Sequence, residues 1–428
     1  MSGTASVSFA CSPRAAVTER IVFCGARVAR SPFSAKHRTL SVRGARIESI
    51  HMSSVGEPPQ MTDDEMVLDL PGYMVLPGLI NAHDHLDFAL FPQLGQGPYR
   101  NWREWAADIY HPDQPPVEDH LRVPRELRFR WGGLRNLFCG VTTVSQHDRY
   151  LTHVLEQDFP VHVPSQYGWA HSVADPEKVT EQFLKTPPDW PFIIHLAEGT
   201  DQVAEREFDL LESLVPLNER VVLVHGVGLN SRQLERAANA GTGVVWCPCS
   251  NLCTLGRTLS VEQICELPNV ALGTDSPLTA NCDLLDQLRF VHSEMGAPAP
   301  FLYELVTSRA ARLLGLDSRQ GSLQPGGAAD LIVVRDRERT PAETLVELSW
   351  KDIELVMQAG RIMLLSPALS SQVRSKLGEG MESIVIDGIE RLVRMPVRNL
   401  YEQTCGALGF VPSLMGRTIE VCTEDIAC

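Results

Sequence analysis

The stretch "YMVLPGLINAHDHLDF", residues 73–88, places two histidines and two aspartates directly after an apolar run. Residues at positions i and i+2 of one strand lie on the same face of that strand. His83 and His85 can therefore bind one metal ion together, whereas Asp84 points to the opposite face. Asp87 is in phase with the histidines but follows the expected end of the strand, so we interpret it as a residue at the rim of the site.

The same arrangement, a polar residue at the end of an apolar run, recurs further along the chain. "PFII" runs into His195, "VVLV" into His225 and "NVALGT" into Asp275. In a parallel barrel these positions are the carboxyl ends of strands, where active sites are assembled. Imidazole nitrogen and carboxylate oxygen suit a divalent cation such as zinc or iron. A single such histidine is usually a hydrogen-bonded core residue, but the whole set at strand ends predicts a metal site.

Composition and charge narrow the class of partner. The chain has 428 residues, of which 44% are hydrophobic, and its formal net charge is -15. Binding to a nucleic-acid backbone or an anionic membrane needs clustered lysine and arginine, which this charge disfavours. The N-terminus lacks the apolar stretch of a signal peptide, and no window offers roughly 20 uninterrupted apolar residues. The sequence therefore predicts a cytoplasmic protein with a small-molecule substrate, no nucleic acid and no membrane, and it leaves a homo-oligomer open.

The alternation of short runs predicts three consecutive parts. Residues 1–75 contain alternating strand patterns and predict a small antiparallel sheet. Residues 76–318 alternate apolar runs with amphipathic stretches, which is typical of repeated βα units and predicts a barrel-like insertion. Residues 319–365 return to the strand pattern and predict the second part of a β domain, for which the resemblance given below implies a β-sandwich around a metal-dependent (β/α)8 barrel.

Two regions fit this scheme less simply. Between His85 and His195 only "GVTTVSQ" and "PVHVPSQYGWA" are clear strands, so either one strand is cryptic or the barrel is irregular. Residues 366–428 are predicted as a helical tail, because apolar residues recur at helical spacing before Pro396. Those apolar residues are Val385, Ile389, Leu392 and Val393.

Glu198 lies three residues after His195 in "HLAEG" and just beyond the strand. A lone glutamate in this position is usually a solvated loop residue. Beside a metal ion, however, a carboxyl group can transfer protons between water and substrate. We therefore predict that Glu198 is a proton shuttle.

The ordered set of motifs resembles the amidohydrolase superfamily. "PGLINAHDH" resembles its first-strand HxH, "HLAE" its HxxE, "VHG" its later histidine and "LGTDS" its last-strand aspartate. "GSLQPGGAADLIVV" looks like the return into the family's β-sandwich. The resemblance implies an α/β fold, a distorted (β/α)8 TIM-like barrel inserted in a small N-/C-terminal β-sandwich domain. The most similar pattern is the mononuclear branch, which holds cytosine and guanine deaminases and triazine chlorohydrolases.

That branch implies one divalent metal ion, zinc in preference to iron. The residues that would bind the metal are His83, His85, His195 and Asp275. The residues that would act in catalysis are Glu198, His225 and Asp275. The binuclear branch often uses a carboxylated lysine, but the only lysines between the two histidine motifs lie in the helix-like "ADPEKVTEQFLK". A bridging lysine is not expected.

The implied activity is hydrolysis of a carbon–nitrogen bond other than a peptide bond, by metal-bound hydroxide. Asp275 would orient the water and accept its proton, Glu198 would protonate a ring nitrogen or leaving group, and His225 would stabilise developing charge. Deamination, or ring or amide hydrolysis of a small cyclic substrate, fits this set. Two alternatives stay open, a non-catalytic ligand-binding relative and a metal-dependent isomerase or dechlorinase on the same barrel.

Two further segments have competing interpretations. "CPCSNLC" brings Cys247, Cys249 and Cys253 together, but its spacing fits neither a zinc knot nor the cytidine-type deaminases. We interpret these cysteines as small core residues, with Ser250 and Asn251 near the mouth of the barrel as the superfamily pattern implies. The aromatic and basic segment 97–113 is either a cover over a planar or anionic substrate or ordinary packing.

Overall fold

A computed structural model describes residues 20–52, 65–156, 158–317, 319–373 and 380–421. The strands of the N-terminal part are β1 (Arg20–Cys24), β2 (Arg27–Ser31), β3 (Ser34–Arg43), β4 (Arg46–Met52), β5 (Glu65–Asp69) and β6 (Tyr73–Pro77). The strands of the middle part are β7 (Leu79–Asp84), β8 (Val141–Gln146), β9 (Gly168–Ala170), β10 (Phe192–Leu196), β11 (Val221–His225), β12 (Gly243–Trp246) and β13 (Val270–Leu272). The strands of the C-terminal part are β14 (Leu331–Arg335), β15 (Ile353–Gln358), β16 (Arg361–Leu365), β17 (Glu382–Ile386), β18 (Ile389–Val393), β19 (Ser413–Leu414) and β20 (Arg417–Val421).

Helices connect the middle strands and follow them. The helices before β10 are α1 (Trp102–Ile109), α2 (Val117–Leu121), α3 (Arg125–Phe138), α4 (Thr152–Leu155) and α5 (Pro176–Lys185). Those between β10 and β14 are α6 (Gln202–Leu214), α7 (Ser231–Asn239), α8 (Pro248–Leu255), α9 (Val261–Glu266), α10 (Leu284–Ser293), α11 (Ala299–Leu305) and α12 (Ser308–Leu313). The last helices are α13 (Pro341–Leu345), α14 (Pro367–Val373) and α15 (Val397–Leu408), and 3-10 turns span Leu86–Phe88 and Trp350–Asp352.

Strands from both ends of the chain pair in one sheet. Its thirteen strands include β4, which pairs with β3, and the order of the others is β19-β20-β17-β18-β16-β15-β14-β6-β2-β3-β1-β5. The two ends meet where β14 pairs antiparallel with β6, with Val333 opposite Val75. Phe23 and Leu355, one from each end, are buried in the same hydrophobic core. The predicted sandwich and its boundaries at 75, 319 and 365 stay predictions.

The middle strands are parallel and, apart from the half-buried β9, fully buried, as expected for strands covered on both faces. One sheet has the order β13-β12-β11-β10-β9, and a second consists of β7 and β8. The sequences "VVLVH" of β11 and "LINAHD" of β7 are buried at every position. Because these strands are parallel, the residues at their carboxyl ends lie at one edge.

One backbone junction links the two parallel sheets, and an isolated bridge extends the smaller sheet on its other side. Next to β13, the N–H groups of Thr274 and Asp275 both donate to the His83 carbonyl, at 2.9 and 3.0 Å. Gly273 makes this approach possible, because a Cβ there would lie 2.7 Å from the Cβ of His83. On the other side, Thr143 of β8 forms an isolated parallel bridge with His162.

The predicted closed barrel is therefore only partly matched. The α/β class with parallel strands is confirmed, but the strands of the described residues do not close into one eight-stranded barrel. The strand pairing is least regular between β8 and β10, where His162 makes a single bridge and β9 has only three residues. This is the region in which the sequence shows too few clear strands.

The predicted helical tail is wrong for residues 382–393. β17 and β18 form an antiparallel hairpin there, which β18 joins to β16. The turn is Asp387-Gly388, with φ of 46° and 76°, and an Asp-Gly pair between alternating apolar residues favours a two-residue hairpin. The apolar spacing fits a helix by coincidence, and the turn residues decide the structure. Helices α14 and α15 flank this hairpin.

Candidate metal centre and active site

The predicted site residues come together at the carboxyl ends of the parallel strands. His83 lies near the end of β7 and His85 directly after it. His195 lies in β10 and His225 ends β11, while Asp275 follows β13. The parallel topology places these ends at one edge, so the sequence order of the motifs becomes a spatial cluster.

The ligand atoms face one another at short range. His83 Nε2 lies 3.2 Å from His195 Nε2 and 3.6 Å from Asp275 Oδ1. His85 Nε2 lies 3.4 Å from the same Asp275 oxygen. Four ligands at about 2.0–2.1 Å from a tetrahedral zinc ion stand roughly 3.3 Å from one another. The observed spacing therefore fits ligands of one ion.

Hydrogen bonds fix the orientation of two of the imidazoles. The His195 Nδ1–H donates to the His171 carbonyl at 3.0 Å, and the His225 Nδ1–H donates to Asn251 Oδ1 at 2.8 Å. In each neutral ring the lone pair is then on Nε2, the atom that faces the cluster. Burial lowers the pKa of His195 well below its ordinary value. A neutral imidazole with a free Nε2 is the form that binds a metal.

His83 and His85 complete the cluster of imidazoles. Burial lowers the pKa of His83 to about 4, so this ring is neutral at physiological pH. His83 is fully buried, and its Nδ1 has no hydrogen-bond partner among the described residues. His85 is half-buried and lies on the open side of the cluster. The donor set is therefore rich in lone pairs and poor in protons, which suits a cation.

Asp275 supplies the negative charge of the cluster. Its Oδ2 accepts hydrogen bonds from Ser250 at 2.5 Å and Thr279 at 3.2 Å. Burial acts to raise the pKa of Asp275, but the hydrogen bond with His83 and the neighbouring imidazoles outweigh burial and hold this pKa below its usual range. The carboxylate is therefore ionised, with Oδ1 left to face His83 and His85.

Glu198 stands beside the cluster as a protonatable group. Its Oε2 lies 3.7 Å from His225 Nε2, and its side chain is buried. Burial raises the pKa of Glu198 to about 7. A carboxyl group with this pKa can both give and take a proton at neutral pH, which is what general acid–base catalysis needs.

The backbone at these strand ends adopts an unusual conformation. Ala197, His225 and Asp275 all have positive φ, at 52°, 76° and 59°. Residues with a Cβ rarely adopt this left-handed region, and such outliers cluster at functional sites.

Comparisons with known proteins agree with this geometry. The profile of the amidohydrolase family matches residues 189–363. The 5-methylthioadenosine/S-adenosylhomocysteine deaminase of Pyrococcus furiosus is 25% identical over 373 residues, which span 70% of this chain and 86% of the relative. The 5'-deoxyadenosine deaminase of Methanothermobacter thermautotrophicus is 22% identical, over 74% of this chain and 88% of the relative.

The predicted resemblance to the amidohydrolase superfamily is confirmed by the family match over residues 189–363 and by these relatives. The predicted class of enzyme, a metal-dependent hydrolase of carbon–nitrogen bonds other than peptide bonds, is confirmed with it. Among the residues described for this amidohydrolase, no helix has the length and apolar character needed to cross a bilayer.

Solved structures show the fold of the family. A triazine hydrolase variant has a TM-score of 0.71 at 18% identity, covering 91% of this chain and 99% of the other. An adenosine deaminase from Xanthomonas campestris with bound zinc has a TM-score of 0.63 at 18% identity, covering 83% of this chain and 96% of the other. An atrazine chlorohydrolase from Arthrobacter aurescens complexed with zinc has a TM-score of 0.66 at 18% identity, covering 91% and 100%. A divalent metal therefore fits both the donor set and the fold.

The acidic residues around the two first histidines lie outside the cluster of ligand atoms. Asp84 is fully buried and its carboxylate accepts a hydrogen bond from Arg135 at 2.9 Å, so it points into the wall as expected. Asp87 is also buried, which differs from its interpretation as a rim residue, and Arg125 Nε donates to it at 2.8 Å. Arg125 also pairs with Asp148.

Two further histidines flank the candidate metal site. His147 stacks on His195 with 3.9 Å between ring centroids and is buried. Its Nε2–H donates to the Ala170 carbonyl at 3.2 Å, so its ring is held by the end of β9. The His171 ring lies 5.2 Å from that of His195, on the side of helix α1.

The 97–113 segment lies beside the candidate site at Trp102. The Trp102 N–H donates to the Glu198 carbonyl at 3.1 Å, and its ring lies 5.0 Å from that of His171. The Arg103 guanidinium lies over the Trp102 ring at 5.4 Å from its centroid. Trp105 instead packs inward and donates to the Leu94 carbonyl at 3.1 Å. Trp102 is therefore the aromatic residue of this segment that faces the mouth.

The cysteine-rich segment contributes through its polar residues. Ser250 and Asn251 of α8 contact Asp275 and His225, as the superfamily pattern implies. Cys247 is buried, but Cys249 is half-buried and Cys253 is exposed, so the interpretation as core residues is wrong for Cys253. No candidate metal-binding group within the described ranges includes a cysteine.

Sequence reasoning missed the contribution of helix α3, whose Arg135 and Asn136 contact Asp84. The only sequence signal was the pair of glycines in "RWGGLRN", which favours close packing of a helix against backbone.

Proposed function

We propose that this amidohydrolase is a deaminase, dependent on one divalent metal ion, that acts on a small heteroaromatic ring carrying an amino group. The observation that carries the proposal is a cluster of three imidazoles and one carboxylate, with spacings of 3.2 to 3.6 Å between their ligand atoms, beside a buried carboxyl of raised pKa. The imidazoles and the carboxylate suit a metal ion, and the buried carboxyl of Glu198 suits proton transfer to a ring nitrogen.

The residues proposed to hold the ion are His83, His85, His195 and Asp275. Zinc is favoured over iron because three imidazoles and one carboxylate suit its four-ligand sites. When bound, such an ion polarises water and brings the pKa of that water toward about 7. His225 also lies within reach of this group and of Glu198, and we assign it to the substrate side.

The residues of the chain then carry the proton transfers. Asp275 holds the attacking water through Oδ1 and accepts its proton. Glu198 in its protonated form donates to the ring nitrogen next to the attacked carbon. Asp275 then passes the proton taken from water to the leaving amine, and the second proton of the former water returns to Glu198. His225, held at Nδ1 by Asn251, stabilises charge that develops at the attacked carbon through Nε2. One water is consumed, a carbon–oxygen bond replaces the carbon–nitrogen bond, and ammonia leaves.

The relatives suggest which rings to test first. The two relatives from Pyrococcus furiosus and Methanothermobacter thermautotrophicus are named as deaminases of adenosine-type nucleosides. Trp102 and His171 form an aromatic wall at the mouth, which suits stacking with a planar base. We therefore place 6-aminopurine nucleosides first, before pyrimidines, triazines and cyclic amides.

We further propose that the parallel strands are parts of one distorted (β/α)8 barrel carried by the terminal sheet. The bridges between Asp84 and Asp275 and between Thr143 and His162 support this arrangement, since they join neighbouring strands on both sides of β7 and β8.

The test measures ammonia release by protein loaded with zinc or with iron. The panel of compounds consists of 6-aminopurine nucleosides, pyrimidines, triazines and cyclic amides. Glu198→Gln is the matched control, because it keeps the shape of the side chain but cannot donate the proton. We expect turnover of at least one aminopurine nucleoside by the wild type and about 10²- to 10⁴-fold less by the variant. Bound metal with no ammonia release across the panel would overturn the deaminase proposal. Chloride release from chlorotriazines would then indicate a dechlorinase, and complete silence a ligand-binding relative.

A further inference from the structure

A buried ion pair lies directly behind the proposed metal ligands. Asp84 stands between His83 and His85, and Arg135 Nη1 donates to its Oδ1 at 2.9 Å, with side chains 0% and 2% exposed. Asn136 Nδ2 donates to the other oxygen at 2.7 Å. Removing two charges from water is costly, and such a pair often contributes little stability compared with apolar residues. The pair therefore suggests a role in geometry.

The same network reaches the segment that carries Asp275. Asn81 Nδ2 donates to Thr274 Oγ1 at 2.7 Å and to Asn136 Oδ1 at 2.9 Å. The Thr274 N–H donates back to Asn81 Oδ1 at 3.1 Å. Arg135 Nη2 donates to the carbonyl of Cys282, after Asp275 in the chain, at 2.9 Å. One set of side chains thus joins β7, helix α3 and the segment after β13.

Close packing of α3 aligns this network with the histidines. A Cβ at Gly132 would lie 2.3 Å from the Leu86 carbonyl oxygen, so the helix rests against the backbone directly after His85. Arg135 and Asn136 follow Gly132 at positions i+3 and i+4, which share its helix face. The helix therefore presents both side chains to Asp84 at a fixed height.

We infer that Asp84, Arg135 and Asn136 are positioning residues that set the distance between the histidines of β7 and Asp275. This inference rests on the proposed metal-binding role of those residues. The network acts from the face of β7 opposite the ligands, so it controls their spacing without touching the substrate. Loss of the network relaxes the ligand geometry and weakens metal binding before it affects the overall fold.

The test uses Asp84→Asn, which preserves the shape of the side chain but removes its charge. The affinity of the full chain for zinc is measured by competition with a chromophoric chelator, and ligand geometry by the absorption spectrum of the cobalt-substituted protein. We expect zinc affinity to fall by about 10- to 100-fold, with a changed cobalt spectrum. Thr274→Val is a second variant that removes the side-chain hydrogen bond from Asn81, keeps the backbone one and leaves no unpaired buried charge. We expect a smaller change in the same direction.

A remote ion pair provides the control. Arg27 Nη1 lies 2.9 Å from Asp336 Oδ1 in the terminal sheet, and both side chains are largely buried. Asp336→Asn is expected to lower the melting temperature but to leave zinc affinity and the cobalt spectrum unchanged. Wild-type protein that binds no zinc would overturn the proposed function itself. Wild-type affinity and spectra in both Asp84→Asn and Thr274→Val, with zinc binding intact, would overturn only the positioning role.

Discussion

Glu198 and His225 come from neighbouring parallel strands and face each other, with 3.7 Å between Oε2 and Nε2. The carboxyl group is buried on the side of the imidazole that Asn251 does not occupy. A proton on Glu198 is therefore held next to the imidazole that we assign to the substrate side of the site.

We predict that kcat/KM falls as the pH rises through about 7. Burial raises the pKa of Glu198 from 4.5 to about 7, so the protonated acid persists to higher pH than in an ordinary glutamate. The acid form is present below this pH and is lost above it, by about tenfold per pH unit. Initial rates of the metal-loaded enzyme between pH 5 and 9 check this. Activity that keeps rising through this range would contradict the acid role, and Glu198→Gln should lack this alkaline limb.

Asp275→Asn should reduce metal content as well as turnover. The amide keeps the hydrogen bond from Ser250 but loses the charge that faces His83 and His85. We expect zinc affinity at least about tenfold weaker. Metal analysis after dialysis measures this effect.

A second buried aspartate serves as the control for this variant. Asp330 in the terminal part accepts a hydrogen bond from the Ala359 N–H at 2.7 Å. Asp330→Asn should retain metal. Equal metal content in Asp275→Asn and wild type would show that Asp275 is not a ligand.

Trp102→Ala should raise KM up to about tenfold and change kcat little, because stacking contributes about 0.5–1.5 kcal/mol to binding and does not act on the reacting bond. Steady-state kinetics with the best substrate of the ammonia screen measure both constants. Trp105→Phe is the comparison, since Trp105 packs inward and donates to Leu94. It should lower stability and leave KM unchanged. The reverse pattern would assign substrate contact to Trp105.

Zinc should raise the melting temperature of metal-free protein. A ligand at 100 times its dissociation constant stabilises the native state by about 2.7 kcal/mol, which corresponds to several degrees. His85→Ala should remove most of this shift, since His85 lies 3.4 Å from the Asp275 oxygen. Magnesium should have little effect, because it prefers oxygen ligands. A zinc shift that persists in full in His85→Ala would place the ion elsewhere.

The cluster could be predicted from sequence because parallel strands convert order into proximity. His83, His195 and Asp275 each end an apolar run, and that pattern alone predicts a shared edge. The Asp387-Gly388 pair is itself a hairpin signal in the sequence, and it outweighs the helical spacing of the apolar residues around it. Arg135 could not be predicted, because its partner Asp84 is 51 positions away and nothing in the sequence joins them.

The positive φ angles of Ala197, His225 and Asp275 affect how the protein can evolve greater thermal stability. Each such residue holds a conformation that costs roughly 1–2 kcal/mol for a side chain with a Cβ. Glycine would relieve this cost, but at His225 and Asp275 it would delete a functional side chain. Ala197 is the one member of the three that can be relaxed without that loss. Selection for thermal stability alone would therefore act against the proposed roles of His225 and Asp275.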